Sequence, residues 1–235
     1  PELGEAHCVA GFCKQAILFD WAGAEAEFKR ALELSPSSAD TYDLYGRMCS
    51  ALERYDEAIA MQQRAQELDP LAHPADVATS LLRAGRYEQA LEAARRAVAL
   101  GRDYARGHAT LGWAYVKLGR IDEGLAALER AVELSAGDSL WLSQLGEAYA
   151  LAGKADRARE ILRDLEQRSS QRYVAPNHLA YLYTGLGEHD RAMDCLEQAF
   201  DQQAGTVYGI RGSFLFEPLR SHPRFVALLR RMHLA

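Results

Sequence analysis

Apolar and small residues recur along the chain at a helical spacing, and the pattern repeats about every 34 residues. Small side chains mark the same point of successive segments at Ala24, Ala58, Ala90, Gly124, Ala158 and Ala192, in steps of 34, 32, 34, 34 and 34 residues. Twelve residues before five of these stand Gly46, Ala78, Gly112, Gly146 and Ala180, whereas Gly11 precedes Ala24 by thirteen. Two helices approach closely only where small side chains meet. The pattern therefore predicts six antiparallel helical hairpins, with one extra loop residue in the first.

The predicted turns carry residues that end one helix and begin the next. Glycine tolerates the left-handed conformation of a helix C-cap, and it stands at the expected ends of four first helices: Gly85, Gly119, Gly153 and Gly187. An acidic residue follows in each equivalent slot, as expected of an N-cap of the second helix: Asp56, Glu88, Asp122, Asp156 and Asp190. No sustained period-two alternation predicts a strand. We expect at least twelve helices, stacked as a right-handed superhelix without a sheet.

The repeat resembles the tetratricopeptide repeat family, whose unit is a helix–turn–helix of 34 residues. Its best segment is GHATLGWAYVKLGRIDEGLAALERAVEL, residues 107–134. The resemblance covers about residues 4–204 and implies an all-α solenoid. We expect six units within residues 1–204, at about 4–38, 39–70, 71–104, 105–138, 139–172 and 173–204, and a capping segment over residues 205–235.

The last 31 residues depart from the repeat. Ser221 and Pro223 predict the start of a helix. Its apolar positions form one stripe, Phe225, Leu228, Leu229 and Met232. We expect this helix to cover the last hairpin near Leu196, Ala199 and Phe200, because the end of a solenoid must be capped. The alternative is a basic amphipathic helix for a membrane or nucleic acid, since Arg230, Arg231 and His233 lie near its end.

Composition narrows the classes of function. The chain has 235 residues and a formal net charge of −6, which disfavours nucleic acid as a partner of this region. It shows no apolar run of the roughly 20 residues that a membrane span needs, and no signal peptide is visible in it. We therefore expect a cytoplasmic protein without a membrane partner. Because the chain begins at Pro1, we also expect it to be part of a longer protein.

Reactive residues do not form a recognised catalytic or metal-binding motif. The four cysteines lack a CxxC pair, and we interpret them as small buried apolar groups in a reducing compartment. A redox or metal pair of Cys8 and Cys13 is the alternative. The seven histidines are scattered. The sequence predicts no enzyme, no cofactor and no metal.

In the tetratricopeptide repeat family, the first helix of each unit lines a concave groove. The resemblance therefore implies a partner-binding groove formed by Asp43, Arg47, Asp76, Thr79, Arg83, Arg106, Thr110, Trp113, Lys117, Gln144, Glu147, Asn177, His178 and Tyr181. Arginine binds carboxylates with two parallel hydrogen bonds. We expect a protein or peptide segment with acidic groups as the partner, and a homo-oligomer is a further option. Alanine at Arg83, Arg106 and Lys117 should weaken binding and leave the melting temperature nearly unchanged.

Three longer stretches resemble one bacterial subgroup of such arrays: FDWAGAEAEFKRALELSP, YVAPNHLAYLYTGLGEHDRAMDCLEQAF and FEPLRSHPRFVALLRRM. In that subgroup the array is the C-terminal part of class III adenylate cyclases, winged-helix transcription regulators and serine/threonine kinases. The resemblance implies a regulatory protein-interaction or sensor module. The alternatives are a free-standing scaffold or assembly factor, and a small-molecule receptor, which a deep pocket with converging charges would favour.

Overall fold

The computed structural model describes residues 3–101, 104–204 and 206–235. The predicted starts of the repeat region at residue 1 and of the capping segment at residue 205 lie outside these ranges. The described residues form thirteen α-helices and no strand: α1 (Gly4–Cys13), α2 (Trp21–Leu34), α3 (Ala39–Ala51), α4 (Tyr55–Leu68), α5 (Asp76–Arg83), α6 (Tyr87–Leu100), α7 (Ala105–Lys117), α8 (Ile121–Leu134), α9 (Ser139–Leu151), α10 (Ala155–Ser169), α11 (Pro176–Gly185), α12 (His189–Asp201) and α13 (Pro223–Arg231). The predicted all-α array of six hairpins and a capping helix is confirmed. Within the described ranges, no helix is both long and apolar enough to cross a bilayer.

Small residues bring the two helices of a hairpin into backbone contact, as α7 and α8 show. A Cβ atom on Gly112 would lie 2.8 Å from the carbonyl oxygen of Gly124. A Cβ atom on Gly124 would lie 2.9 Å from the carbonyl oxygen of Gly112. Neither position has room for a side chain. Leu128 fills the space beside this crossing and is fully buried. The spacing of small residues in the sequence thus marks the helix crossings.

The turns confirm the predicted glycines and correct the predicted N-caps. The four turn glycines, Gly85, Gly119, Gly153 and Gly187, have φ angles of 73°, 75°, 75° and 76°. The N-caps of the second helices are Arg54, Arg86, Arg120, Lys154 and Glu188. The predicted acidic caps lie two residues further on, inside the first turn, where the helix dipole still favours a carboxylate. In the C-terminal helix, His222 rather than Ser221 is the N-cap, and its ring accepts a hydrogen bond from the Arg224 amide.

The extra residue of the first unit lies in a helix rather than in a loop. A π-helical turn, Lys14–Leu18, extends α1 and absorbs the added residue. Phe19 follows with a φ angle of 52° and ends the helix. Trp21 then begins α2.

The two ends of the solenoid meet and close it into a ring. Phe19 of the first hairpin stacks on Phe200 of α12, with ring centroids 5.2 Å apart. The indole N–H of Trp21 donates a buried hydrogen bond of 2.8 Å to the carbonyl oxygen of Met232. One apolar cluster therefore contains residues from both ends of the chain.

Helix α13 covers the last hairpin as predicted. Phe225, Leu228 and Met232 are buried in the same cluster as Leu196 and Ala199. Its charged face also forms ion pairs with α12. The Arg224 guanidinium bridges Glu197 and Asp194 at 2.8 and 2.7 Å, and Arg231 pairs with Asp201 at 2.8 Å. These contacts are those of a capping helix rather than of a free basic helix.

The cysteines depart in part from the prediction of four buried side chains. Cys8 and Cys49 are buried, Cys195 is partly buried and Cys13 is exposed. Burial raises the pKa of the Cys49 thiol to about 12, which keeps it protonated.

Candidate functional site: the concave surface and the segment that covers it

The concave surface is covered by residues 206–220 of the same chain, which we call the C-terminal segment. It contains two short 3-10 helices, Val207–Gly209 and Phe214–Leu219. The Phe214 ring packs edge-on against Trp113 of α7 at 5.5 Å, and the Phe216 ring stacks on Tyr181 of α11 at 4.8 Å. The sequence predicted this stretch only as part of a terminal cap, so its position inside the groove is a correction.

Polar contacts fix the C-terminal segment along its length. Asn177 donates a 2.9 Å hydrogen bond to the Thr206 hydroxyl. Arg211 pairs with Glu53 at 3.1 Å, at the C-terminal end of α3. The Lys117 ammonium lies 3.8 Å from the Glu217 carboxylate and 5.2 Å from the centre of the Phe214 ring. The segment is thus held by side chains of α7, α11 and the turn that follows α3, and the sequence assigned these three helices to the groove.

An ionic cluster joins α3, α5 and α7 beside the C-terminal segment. Arg47 contacts two carboxylates, with Nε 2.7 Å from Asp43 Oδ2 and Nη2 2.9 Å from Asp76 Oδ2. The contact with Asp43 is an ion pair whose angle is too bent for a hydrogen bond. Arg106 adds a second guanidinium, 3.3 Å from Asp76 Oδ1. The ring of His73, which the sequence did not single out, lies 3.7 Å from both carboxylates.

The two carboxyl groups of this cluster differ in acidity. Burial and the neighbouring Asp76 raise the pKa of Asp43. Burial also opposes ionisation of Asp76, but Arg47 and Arg106 outweigh it and lower the pKa of Asp76. Ligand atoms of Asp43, His73 and Asp76 lie within 4.8 Å of one another, close enough to share a metal ion. Arg47 already contacts both carboxyl groups and Arg106 contacts Asp76, so a metal ion would have to displace a guanidinium.

A cavity lies between α5, α7, α9 and the C-terminal segment. Its empty space is about 830 Å³, a volume that includes solvent at its open mouth. Seven of the predicted groove residues line it: Thr79, Arg83, Arg106, Thr110, Trp113, Gln144 and Tyr181. Trp113 is held in place by a 2.9 Å hydrogen bond from its indole N–H to Gln144 Oε1. From the other side the C-terminal segment contributes Gly209, Ile210 and Phe214.

Glu147 of α9 is buried and has no counter-charge within ion-pair distance among the described residues. Burial raises the pKa of its carboxyl well above the usual value, although Lys117 acts in the opposite direction. Burial therefore favours the protonated form of this group over the carboxylate. Burial of this carboxyl group lowers the stability of the fold. Exposure of the concave surface would remove this cost, because a carboxylate in water ionises freely.

His178, which the sequence also assigned to the groove, is not among the seven residues that line the cavity. Its Nδ1 atom lies 3.0 Å from the Ser139 hydroxyl, and burial lowers the pKa of its ring. The sequence placed all fourteen predicted residues on first helices, which is where the structure has them. It missed the residues of the C-terminal segment, because that segment has no repeat period. Its aromatic run, Ser213–Phe216 in the sequence GSFLFEPL, was the one available signal.

Comparisons with known proteins identify the repeats. Family models described as tetratricopeptide repeat match residues 39–70 and 177–205, residues 81–145 and residues 141–164. Together these matches cover well over half of the chain, and none of them describes an enzyme. No curated protein sequence matches the chain at a significant level.

Solved structures share the fold. A thermophilic TPR protein of Thermus thermophilus, TTC0263, aligns with a TM-score of 0.57 and 25% identity, over 76% of this chain and 99% of that chain. Pseudomonas aeruginosa pilF aligns with a TM-score of 0.58 and 16% identity, over 88% of this chain and 95% of that chain. The Cut9–Hcn1 hetero-tetramer of the APC/C aligns with a TM-score of 0.65 and 15% identity, over 99% of this chain and 43% of that chain. Identities this low establish a common architecture, whereas the partners of these proteins do not transfer.

Proposed function

Since this chain is an array of tetratricopeptide repeats, we propose that it is a non-catalytic interaction module whose concave surface binds an extended segment of a partner protein. Such repeats generally serve as protein-interaction scaffolds. One observation carries the proposal: the concave surface already holds a non-repeat segment, although that segment comes from the same chain and includes two 3-10 helices. Its side chains use Trp113, Tyr181 and Lys117 as contact points.

The chemistry of the C-terminal segment describes the partner. Phe214 and Phe216, which are separated by one residue, pack on Trp113 and Tyr181. Glu217, directly after Phe216, faces Lys117. A partner segment that replaces it would therefore carry aromatic groups followed by a carboxylate. This agrees with the acidic partner that the sequence predicts.

The tether gives the C-terminal segment an advantage over any partner. An attached segment competes at an effective concentration on the order of millimolar, so a partner must bind tightly or act on a chain whose segment has been released. Release would also let the segment of one copy enter the groove of a second copy, which is one route to a homo-oligomer. Partner binding would thus be coupled to opening of the groove.

We also propose that the chain is the regulatory part of a larger bacterial signalling or transcription-regulating protein. The support is the resemblance of three stretches, among them FEPLRSHPRFVALLRRM, to arrays of that subgroup. The sequence that precedes Pro1 in the gene tests this. A cyclase, winged-helix or kinase region there supports the proposal, and its absence would favour a free-standing scaffold.

Binding in trans tests the groove directly. The Phe214→Ala chain, whose segment has lost its contact with Trp113, is titrated with a synthetic peptide identical to residues 206–220. We expect tryptophan fluorescence to report saturable binding with a dissociation constant below about 1 mM. A matched peptide with serine at Phe214 and Phe216 should not bind, and wild type should bind the first peptide more weakly. If a folded Phe214→Ala chain binds neither peptide, the groove is not a peptide site.

A further inference from the structure

The cavity beneath the C-terminal segment is positively charged. Arg83 and Arg106 are the charged residues in its lining, which contains no carboxylate among the described residues. Arg106 is partly neutralised by Asp76, at 3.3 Å. Arg83 has only the Ser50 hydroxyl, at 3.2 Å, and no carboxylate within ion-pair distance in the described part of the chain. One guanidinium therefore faces the cavity without a carboxylate partner, and such a group attracts an anion.

The lining also contains several aromatic rings. Trp113, Trp141, Tyr181 and Phe214 supply four rings around the cavity. The Trp113 ring is fixed by its hydrogen bond to Gln144, and the Tyr181 ring by its stack on Phe216. Fixed rings form slots for planar apolar groups. The comparable cavity volume, about 160 Å³ without the open solvent, is close to that of an engineered cavity that binds benzene.

We propose that this cavity binds a small aromatic carboxylate, with the carboxylate on the Arg83 guanidinium and the ring in the cavity beside Trp113 and Phe214. The planar fork of arginine matches a carboxylate with two parallel hydrogen bonds. A single unpaired guanidinium matches the one negative charge of a carboxylate better than the two negative charges of a phosphate ester. This second ligand site goes beyond the partner-binding role and does not depend on it.

The position of the cavity also sets what the ligand does to the fold. Its walls come from α5, α7 and α9 on one side and from the C-terminal segment on the other. A ligand that contacts both sides stabilises the closed arrangement, because it binds that arrangement better than one from which the segment has left. The small molecule and the protein partner would then oppose each other.

The probe for this site is indole-3-acetate, with its neutral amide as the matched control. Isothermal titration and thermal melting are run on wild type and on three variants. Arg83→Gln removes the guanidinium. Thr79→Tyr fills the cavity from α5 and keeps Arg83, so it tests the site independently. Arg172→Gln removes an exposed arginine between α10 and α11 and serves as the control.

We expect the acid to bind wild type and Arg172→Gln, to raise their melting temperatures, and to bind at least about tenfold more tightly than the amide. Arg83→Gln and Thr79→Tyr should each weaken binding by at least about tenfold. Equal binding of acid and amide would overturn the proposal, as would unchanged affinity in either variant. Tighter binding of inorganic phosphate than of the acid would overturn it too. These outcomes use the intact groove, so failure of the trans-peptide assay leaves them unaffected.

Discussion

Truncation of Phe216 is the sharpest perturbation of the covered groove. Its ring is 1% exposed and stacks on Tyr181 with an interplanar angle of 10°. Replacing a buried phenylalanine by alanine costs about 3–5 kcal/mol. For a chain of this size each kcal/mol lowers the melting temperature by about 2–4 °C, so Phe216→Ala should melt about 6–20 °C below wild type.

Circular dichroism at 222 nm measures the melt, and tryptophan emission measures the groove. Trp113 is 2% exposed and lies beside Phe214, so release of the C-terminal segment should shift its emission to longer wavelength at temperatures where the helices persist. Tyr173→Ala is the control, because Tyr173 is 71% exposed and its loss should change stability by less than about 0.5 kcal/mol. If Phe216→Ala melted with wild type and its emission were unchanged, the segment would not occupy the groove.

Three further predictions concern the ring closure and the buried acid. Phe225→Ala should lower the melting temperature and cause self-association visible by light scattering, because it uncovers the last hairpin; Ala227→Ser, on the exposed side of α13, should do neither. Trp21→Phe removes the hydrogen bond to Met232 and should cost about 1 kcal/mol in chemical denaturation, and a loss below experimental error would contradict the ring closure. Glu147→Gln should gain stability over wild type as pH rises from 5 to 8. The raised pKa of Glu147 means that the folded chain binds the extra proton, so wild-type stability falls with rising pH, and a constant difference would refute this.

The repeat fold could be predicted because its causes are local in the sequence. Gly112 and Gly124 mark a helix crossing, and Gly119 marks the turn between the helices. A position in one unit has the same environment in the next, so the groove helices follow from the repeat register. Acidic residues in the first turn of a helix and acidic N-caps both interact favourably with the helix dipole, so the sequence pattern predicts the caps two residues too far along the chain.

The covered groove could not be predicted because its causes are not local. Whether Trp21 reaches Met232 depends on curvature summed over six hairpins, and small rotations between units decide it. Residues 206–220 have neither a helical stripe nor a repeat period, so their pairing with Trp113 and Tyr181 is visible only in three dimensions. The same applies to the isolation of Arg83. The sequence showed an arginine on a groove helix, whereas the structure shows that it lacks a carboxylate partner among the described residues.

Photo-crosslinking in trans tests whether the concave surface binds peptide segments that carry aromatic and acidic side chains. A peptide identical to residues 206–220, with benzoylphenylalanine at the position of Phe214, is irradiated with the Phe214→Ala chain, and the products are mapped by mass spectrometry. We expect saturable crosslinks on α7 and α9, around Trp113 and Trp141, which the unlabelled peptide competes away. Crosslinks on the second helices of the hairpins, or none that saturate, would contradict it.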